Sequence, residues 1–299
     1  MSARPPFCDH PAMSPADPKT EQDPWQRHGW RLLVLLFLTH NLLLGWATQD
    51  ATFQLINGLA WLGAALCLEA QWPTLPGRPS YGSLVIGAAV LGFISWRSTR
   101  VLNEDQAVHL LPLLTGLGLL SLAAPWAALR RFWKPLLILS LPLLNLLQPR
   151  IVDERSLSHV TAELTGWLLR LCGLTAEVRW DVEVWLPEGG VRVAGECSGE
   201  DVLVLMSMVA LIFLLAFPLK GYGKQLLALV LAPLIAIAGN AVRIALLAAI
   251  HAGQWPERES LFRFLHDEAG ALTFSAITMS VFAALYYQAF TRQLREAAR

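Results

Sequence analysis

Long apolar runs set the pattern of this chain. By hydropathy they fall at residues 32–48, 53–70, 81–96, 107–126, 133–147, 202–217, 226–250 and 269–290. Crossing about 30 Å of hydrocarbon takes about 20 apolar residues in a helix. The pattern therefore predicts an all-α polytopic membrane protein with about eight transmembrane helices. Several runs are short or interrupted by Gly and Pro.

Between the fifth and sixth runs the period changes. Leu157, Val160, Leu164, Trp167, Leu168 and Leu171 recur at three- and four-residue spacing with polar residues between them, which predicts an amphipathic helix lying on the membrane surface. Gly173 supplies its C-terminal stop. Val178, Trp180, Val182, Val184 and Leu186 then alternate with Glu177, Arg179, Asp181 and Glu183. A turn at 187–190 follows, and Val191 and Val193 resume the alternation, the signature of a small outward-facing β-hairpin. Ser198 and Asp201 fit a capping box that starts the sixth run. The predicted organisation is a disordered cytoplasmic tail (1–30), N-terminal transmembrane helices (31–150), a periplasmic amphipathic helix and hairpin (151–197), further transmembrane helices carrying the chemistry (198–290) and a cytoplasmic tail (291–299).

Composition and charge narrow the class. The 299 residues are 55% hydrophobic and 15% charged, which excludes an ordinary soluble domain. A net charge of zero implies no bulk attraction to nucleic acid. Residues 1–28 lack the apolar core of a cleavable signal peptide. Lys and Arg concentrate at Arg27 and Arg31, at Arg130, Arg131 and Lys134, at Lys220 and Lys224, and at Arg292, Arg295 and Arg299. With eight spans all of these lie on one side, the cytoplasm by the positive-inside rule. Arg97 and Arg100, beside Glu104 and Asp105, oppose it. Residues 150–200 and 251–268 then face outward. The four cysteines, Cys8, Cys67, Cys172 and Cys197, have no metal-ligand spacing, so neither metal nor cofactor is expected.

The candidate chemistry gathers on that outer side. Cys197 sits among charges at the head of the sixth run, in Gly195-Glu196-Cys197-Ser198-Gly199-Glu200. The positive end of a helix dipole favours its thiolate, and Glu196 and Glu200 oppose it. Local sequence alone leaves room for a structural cysteine at a membrane boundary. Arg243 lies inside the seventh run, where a cation costs at least about 2.5 kcal/mol unless it is paired or faces water. Asn240 shares its helical face, with Leu247 and His251 beyond. His266 opens the eighth run. A thiol, an imidazole and a guanidinium from three consecutive spans are the parts of a cysteine acyl transferase: nucleophile, general acid and base, and a cation for charge developing on thiolate or oxyanion.

At these residues the chain resembles the exosortase/archaeosortase family, which carries Cys-Ser-Gly ahead of an apolar span, Asn-x-x-Arg late in the next, and a histidine heading the one after. The matching residues are Cys197-Ser198-Gly199, Asn240 with Arg243, and His266, and the resemblance covers roughly residues 110–274. Glu196 stands where members commonly have a small residue, which marks a divergent bacterial exosortase subfamily. The resemblance implies a membrane cysteine transpeptidase in the inner membrane with its site facing the periplasm. Its substrates would be secreted proteins with a C-terminal apolar sorting tail, of the Pro-Glu-Pro type in bacteria, passed through a thioester at Cys197 to an unknown acceptor. Arg243 would steady the thiolate or oxyanion, His266 would act as acid and base, and Asn240, Glu196, Ser198 and Glu200 would support them.

Three alternatives stand beside this reading. An intramembrane cysteine protease would use water as the acceptor. A transporter would use Arg243 as a ligand but would need polar residues through the depth of several spans. A thiol oxidoreductase would need a second cysteine beside Cys197. The remaining polar residues read more plainly. His40, Asn41 and His109 suit interhelical hydrogen bonds, and His159 suits a solvated position. Cys172 suits the amphipathic face, and His251 is a rival base to His266.

Overall fold

The computed structural model describes residues 24–48, 50–71, 79–100, 106–253 and 257–297. The tail read at 1–30 lies outside these residues up to 23, as do Cys8, Glu104, Asp105 and Arg299. Helices account for most of the rest. They are α1 (Pro24–Ala47), α2 (Ala51–Gln71), α3 (Tyr81–Ser98), α4 (Leu111–Ala123), α5 (Trp133–Ser140), α6 (Leu144–Ile151), α7 (Glu154–Leu171), α8 (Glu200–Ala216), α9 (Tyr222–Ala252), α10 (Arg258–His266) and α11 (Glu268–Ala297). Three short strands, β1 (Glu177–Arg179), β2 (Glu183–Leu186) and β3 (Gly189–Arg192), lie between α7 and α8.

By length and composition, four stretches of helix can each cross a membrane: Ala51–Glu69, Gln106–Ala123, Tyr222–Ala252 and Glu268–Ala297. Arg31–Ala47 is a shorter apolar helix. The eight apolar runs all become helix, yet they do not make eight spans of full length. The run 133–147 shows why: Pro142 stands in a 3-10 turn at Leu141–Leu143 that splits it into α5 and α6, because proline cannot donate to the helical ladder. The long helices keep apolar side chains on their open faces. Leu226 and Leu227 of α9 are each 62% exposed, which suits a hydrocarbon surround and not water.

The chain divides into two compact units, Met1–Leu146 with Leu211–Pro218, and Leu147–Ala210 with Leu219–Arg299. In the first, helices approach closely through glycine, since lipid-solvated helices associate by tight van der Waals contact. A side-chain carbon on Gly87 of α3 would lie 2.8 Å from the Gly118 carbonyl oxygen of α4, and one on Gly118 would lie 2.8 Å from Leu91. Polar side chains add cross-links. Asn41 Nδ2 donates to Thr115 Oγ1 at 2.9 Å, and His40 Nε2 lies 3.0 Å from Ser98 Oγ, both between helices as the sequence suggests. His109 differs: its Nδ1 meets its own helical neighbour, the Gln106 carbonyl, and its ring packs on Phe53 at 4.4 Å.

In the second unit, α7 packs on α9, and α9 on α11. The amphipathic helix is present, capped by the Asp153 carboxylate, which accepts from the Ser156 N–H. Its buried face holds Leu157 and Leu169 but is made mainly of small residues. Ser158, Thr161, Ala162, Thr165 and Gly166 are buried, whereas Val160, Trp167 and Leu171 are about half exposed or more. Small residues let α7 approach its neighbour closely, and the large apolar ones are left for lipid. Cys172 is exposed at the end of this helix, outside any apolar packing. The hairpin proves to be a three-stranded antiparallel sheet in the order β1-β2-β3. Val178 to Leu186 is not one strand, because Trp180 and Asp181 both take positive φ, 53° and 67°, and turn the chain. His159 Nδ1 meets the Asp181 carbonyl there at 3.1 Å.

The glycine contact makes a prediction. Gly87→Val should force α3 from α4 and cost about 1–3 kcal/mol, while Gly92→Ala on the same helix, with nothing within 4 Å of the new carbon, should be neutral or stabilising. Thermal unfolding in detergent checks both; equal midpoints for Gly87→Val and the parent would contradict this packing.

Candidate functional site

The loop between β3 and α8 is built to present Cys197. A 3-10 turn, Gly195–Cys197, leads into Ser198 and Gly199, and α8 begins at Glu200. Three side chains hold this loop by its backbone. Glu154 Oε1, at the head of α7, accepts from the Gly195 N–H at 2.7 Å. Thr161 Oγ1, one helical face along, donates to the Ser198 carbonyl at 3.0 Å. Asn240 Nδ2 on α9 donates to the Cys197 carbonyl at 3.0 Å. Gly199 has φ +90°, and a side-chain carbon there would fall 2.5 Å from Asn240 Nδ2. Only glycine combines that backbone with so close a neighbour.

The capping box works in part. Ser198 Oγ accepts from the Glu200 N–H at 3.3 Å, but Asp201 turns aside and accepts from Gln148 Nε2 at 2.7 Å. Cys197 lies at the positive end of α8, half-buried. Glu200 is held above the ordinary carboxylate range, chiefly by burial and then by the charges of Asp201 and Glu154. The electrostatics at the cysteine are therefore mixed, with a helix terminus favouring thiolate and carboxylates opposing it.

Arg243 is 4% exposed, and Asn240, three residues before it on α9, is 3% exposed. The guanidinium reaches the C-terminus of α10. Nε donates to the Leu265 carbonyl at 2.8 Å and Nη2 to the His266 carbonyl at 2.9 Å. Those carbonyls are among the last four of a helix, which have no partner within it, and they carry the negative end of the dipole. A charge-assisted bond of this kind contributes about 1.5–3 kcal/mol. The sequence assigns Arg243 to charge at the thiolate or oxyanion; the structure adds two backbone carbonyls that it holds.

His266 ends α10 and does not begin the last long helix, which starts at Glu268. The short α10 carries no apolar run of its own, so hydropathy merges it with the loop. The His266 side chain is 51% exposed, with Nδ1 3.6 Å from Asp267 Oδ1. Its ring stacks on Phe262 at 5.7 Å and 20°, and Phe262 meets His251 at 5.5 Å. His251, the rival base, and His266 thus both contact the Phe262 ring.

Cys197, Phe262 and Leu265 pack against one buried core, made of Ala162 and Leu169 from α7, Val184 and Leu186 from β2, and Ile244 and Leu247 from α9. Cys197, Asn240, Arg243 and the His266 backbone are therefore assembled on a single core. Sequence reasoning missed Glu154, Thr161 and Phe262. Glu154 reads there as an N-terminal helix charge and Thr161 as a polar residue between apolar ones, and nothing in either spacing points at Cys197.

The chain matches the sequence profile described as transmembrane exosortase over residues 56–283. That match extends the resemblance into α2 and α3, well before residue 110. No curated protein and no solved structure matches the chain. With a match across most of its length, this chain belongs to the transmembrane exosortase family.

Proposed function

We propose that this chain is a cysteine transpeptidase of the membrane that cuts secreted proteins near a C-terminal apolar tail and transfers them to an acceptor. One observation carries the reading: Asn240 and Arg243, one turn apart on α9, bind the backbone of the cysteine loop and the backbone of the histidine helix. Two reactive side chains from separate segments are thereby referred to one rigid helix, the arrangement that positional catalysis needs.

In the proposed reaction the Cys197 thiolate attacks the scissile carbonyl of the tail. The tetrahedral intermediate collapses as His266 protonates the leaving amine, leaving a thioester on Cys197. An incoming nucleophile then gives its proton to His266 and displaces the thiol. Arg243 fixes α10 and adds a cation to the developing negative charge; Asn240, Ser198 and the glycine turn keep the thiol at the head of α8. The site faces the periplasm across the inner membrane. Water as the acceptor would make the enzyme a peptidase through the same thioester, and the product mass separates the two outcomes.

Co-expression with a secreted protein bearing an apolar C-terminal tail tests this. Cys197→Ala should abolish tail removal while the membrane protein accumulates normally; trimming at the parent rate would refute the nucleophile. Arg243→Lys keeps the charge but loses the two-pronged grip on Leu265 and His266. Turnover should fall about 10²-fold, with little change in the pH dependence of Cys197 alkylation. Undiminished turnover would show that the link to α10 is dispensable.

Glu200→Gln removes a negative charge beside the thiol. The apparent Cys197 pKa should fall, and iodoacetamide labelling near neutral pH should speed up. A slower reaction would reverse the sign of the electrostatics argued above.

A Glu188→Cys variant should label with an impermeant maleimide from the periplasmic side, and Lys220→Cys only after the membrane is opened. The opposite pattern would invert the proposed orientation.

A further inference from the structure

The first unit holds an open groove of about 800 Å³ that contains none of the residues discussed above as reactive. Leu113 and Leu117 of α4 form one wall and Trp133 and Leu137 of α5 the other, and the 3-10 turn Trp126–Phe132 joins them at one end. That turn is anchored. Ala128, Leu129 and Phe132 are buried beneath it, and the Trp126 N–H donates to Ser83 Oγ of α3 at 2.9 Å. From Leu113 to the end of α4 at Ala123 is ten residues, about 15 Å of helix. This is about half the hydrocarbon thickness, hence one leaflet.

The two ends of the groove differ in chemistry. Its inner walls are apolar. Its rim carries Arg130 in the lining, with Arg131 and Lys134 next to it, and Lys134 Nζ lies 5.9 Å from the centre of the Trp133 ring. Trp126 and Trp133 are 55% and 53% exposed at the same end, the placement of indole rings at a membrane interface. No Asp or Glu occurs between residues 106 and 152. Among the described residues none of the three cations forms an ion pair. An apolar slot one leaflet deep, closed at its interfacial end by positive charge, matches a molecule with one anionic head and a long hydrocarbon chain.

We propose that this groove binds an anionic phospholipid, with an acyl chain between α4 and α5 and its phosphate against Arg130 and Lys134. The headgroup charge gives the site its selectivity, and the groove gives the chain its place. The occupant would hold the turn at 126–132 in the interface, where it joins α4 to α5.

Native mass spectrometry of the purified full chain in detergent tests this, titrated with phosphatidylglycerol and with phosphatidylcholine of the same acyl chains. Phosphatidylglycerol should bind at least ten-fold more tightly. Arg130→Gln with Lys134→Gln should erase that preference, at about five-fold per cation removed. Both side chains are polar and at the rim, so the variant should fold, and its thermal midpoint checks that it does. Leu117→Trp, which fills the slot and spares the cations, should weaken phosphatidylglycerol binding as well. Equal binding of the two lipids by the parent chain would overturn the proposal. So would a preference unchanged in the double glutamine variant. Displacement of phosphatidylglycerol by glycerol phosphate alone would show an anion site without a chain slot, and displacement by an apolar helical peptide would show a peptide groove; either result also overturns it.

Discussion

A buried guanidinium must have its donors satisfied, and much of the second unit follows from how this is done. Arg243 is almost fully enclosed within a long apolar helix, where an unpaired cation would be costly. Its partners are the last carbonyls of α10, groups that any helix leaves without an internal acceptor role. Two costs offset each other: the arginine gains acceptors, and the helix end gains donors with the right charge for its dipole. Asn240 does the same one turn earlier for the carbonyl of Cys197. The helix α9 is thus a ruler, with one polar side chain for each of two segments, the Cys197 loop and the end of α10.

The glycine after the cysteine belongs to the same constraint. Asn240 can reach the Cys197 carbonyl because Gly199 offers no side chain, and the chain can enter α8 at that point because Gly199 takes a left-handed backbone. The Cys-Ser-Gly triplet therefore has a physical account for each member. The cysteine carries the thiol, the serine caps the first turn of α8, and the glycine makes room for the asparagine. Glu154 and Thr161 hold the loop from the opposite side through α7. This explains why Thr161 on that helix is turned inward, while Trp167 and Leu171 face outward.

Family membership and geometry answer different questions. The profile match identifies a transmembrane exosortase, and so a membrane protein of transpeptidase-like function. It does not say why the asparagine and arginine are three residues apart. The structure supplies that reason, since three residues is one helical turn and each side chain serves a different neighbour.

The sequence alone determined the elements whose signal is local. Apolar runs mark the helices because lipid-facing and core-facing positions are both apolar. The period of α7 and the alternation of the strands survive for the same reason, and an arginine in an apolar run announces a partner by its cost alone. Cys197, Asn240, Arg243 and His266 could be singled out as chemistry in the wrong surroundings. What hydropathy cannot see is which side of an element faces protein when lipid is the solvent, because burial and lipid exposure then favour the same side chains. So the apolar period of α7 was legible in the sequence, but only its packing shows that Thr161 and Thr165 face inward. The turn at Trp180 and Asp181 and the short α10 ending at His266 were likewise decided by tertiary structure. Each depends on a few residues whose backbone is set by neighbours distant in the chain, and periodicity averages such residues away.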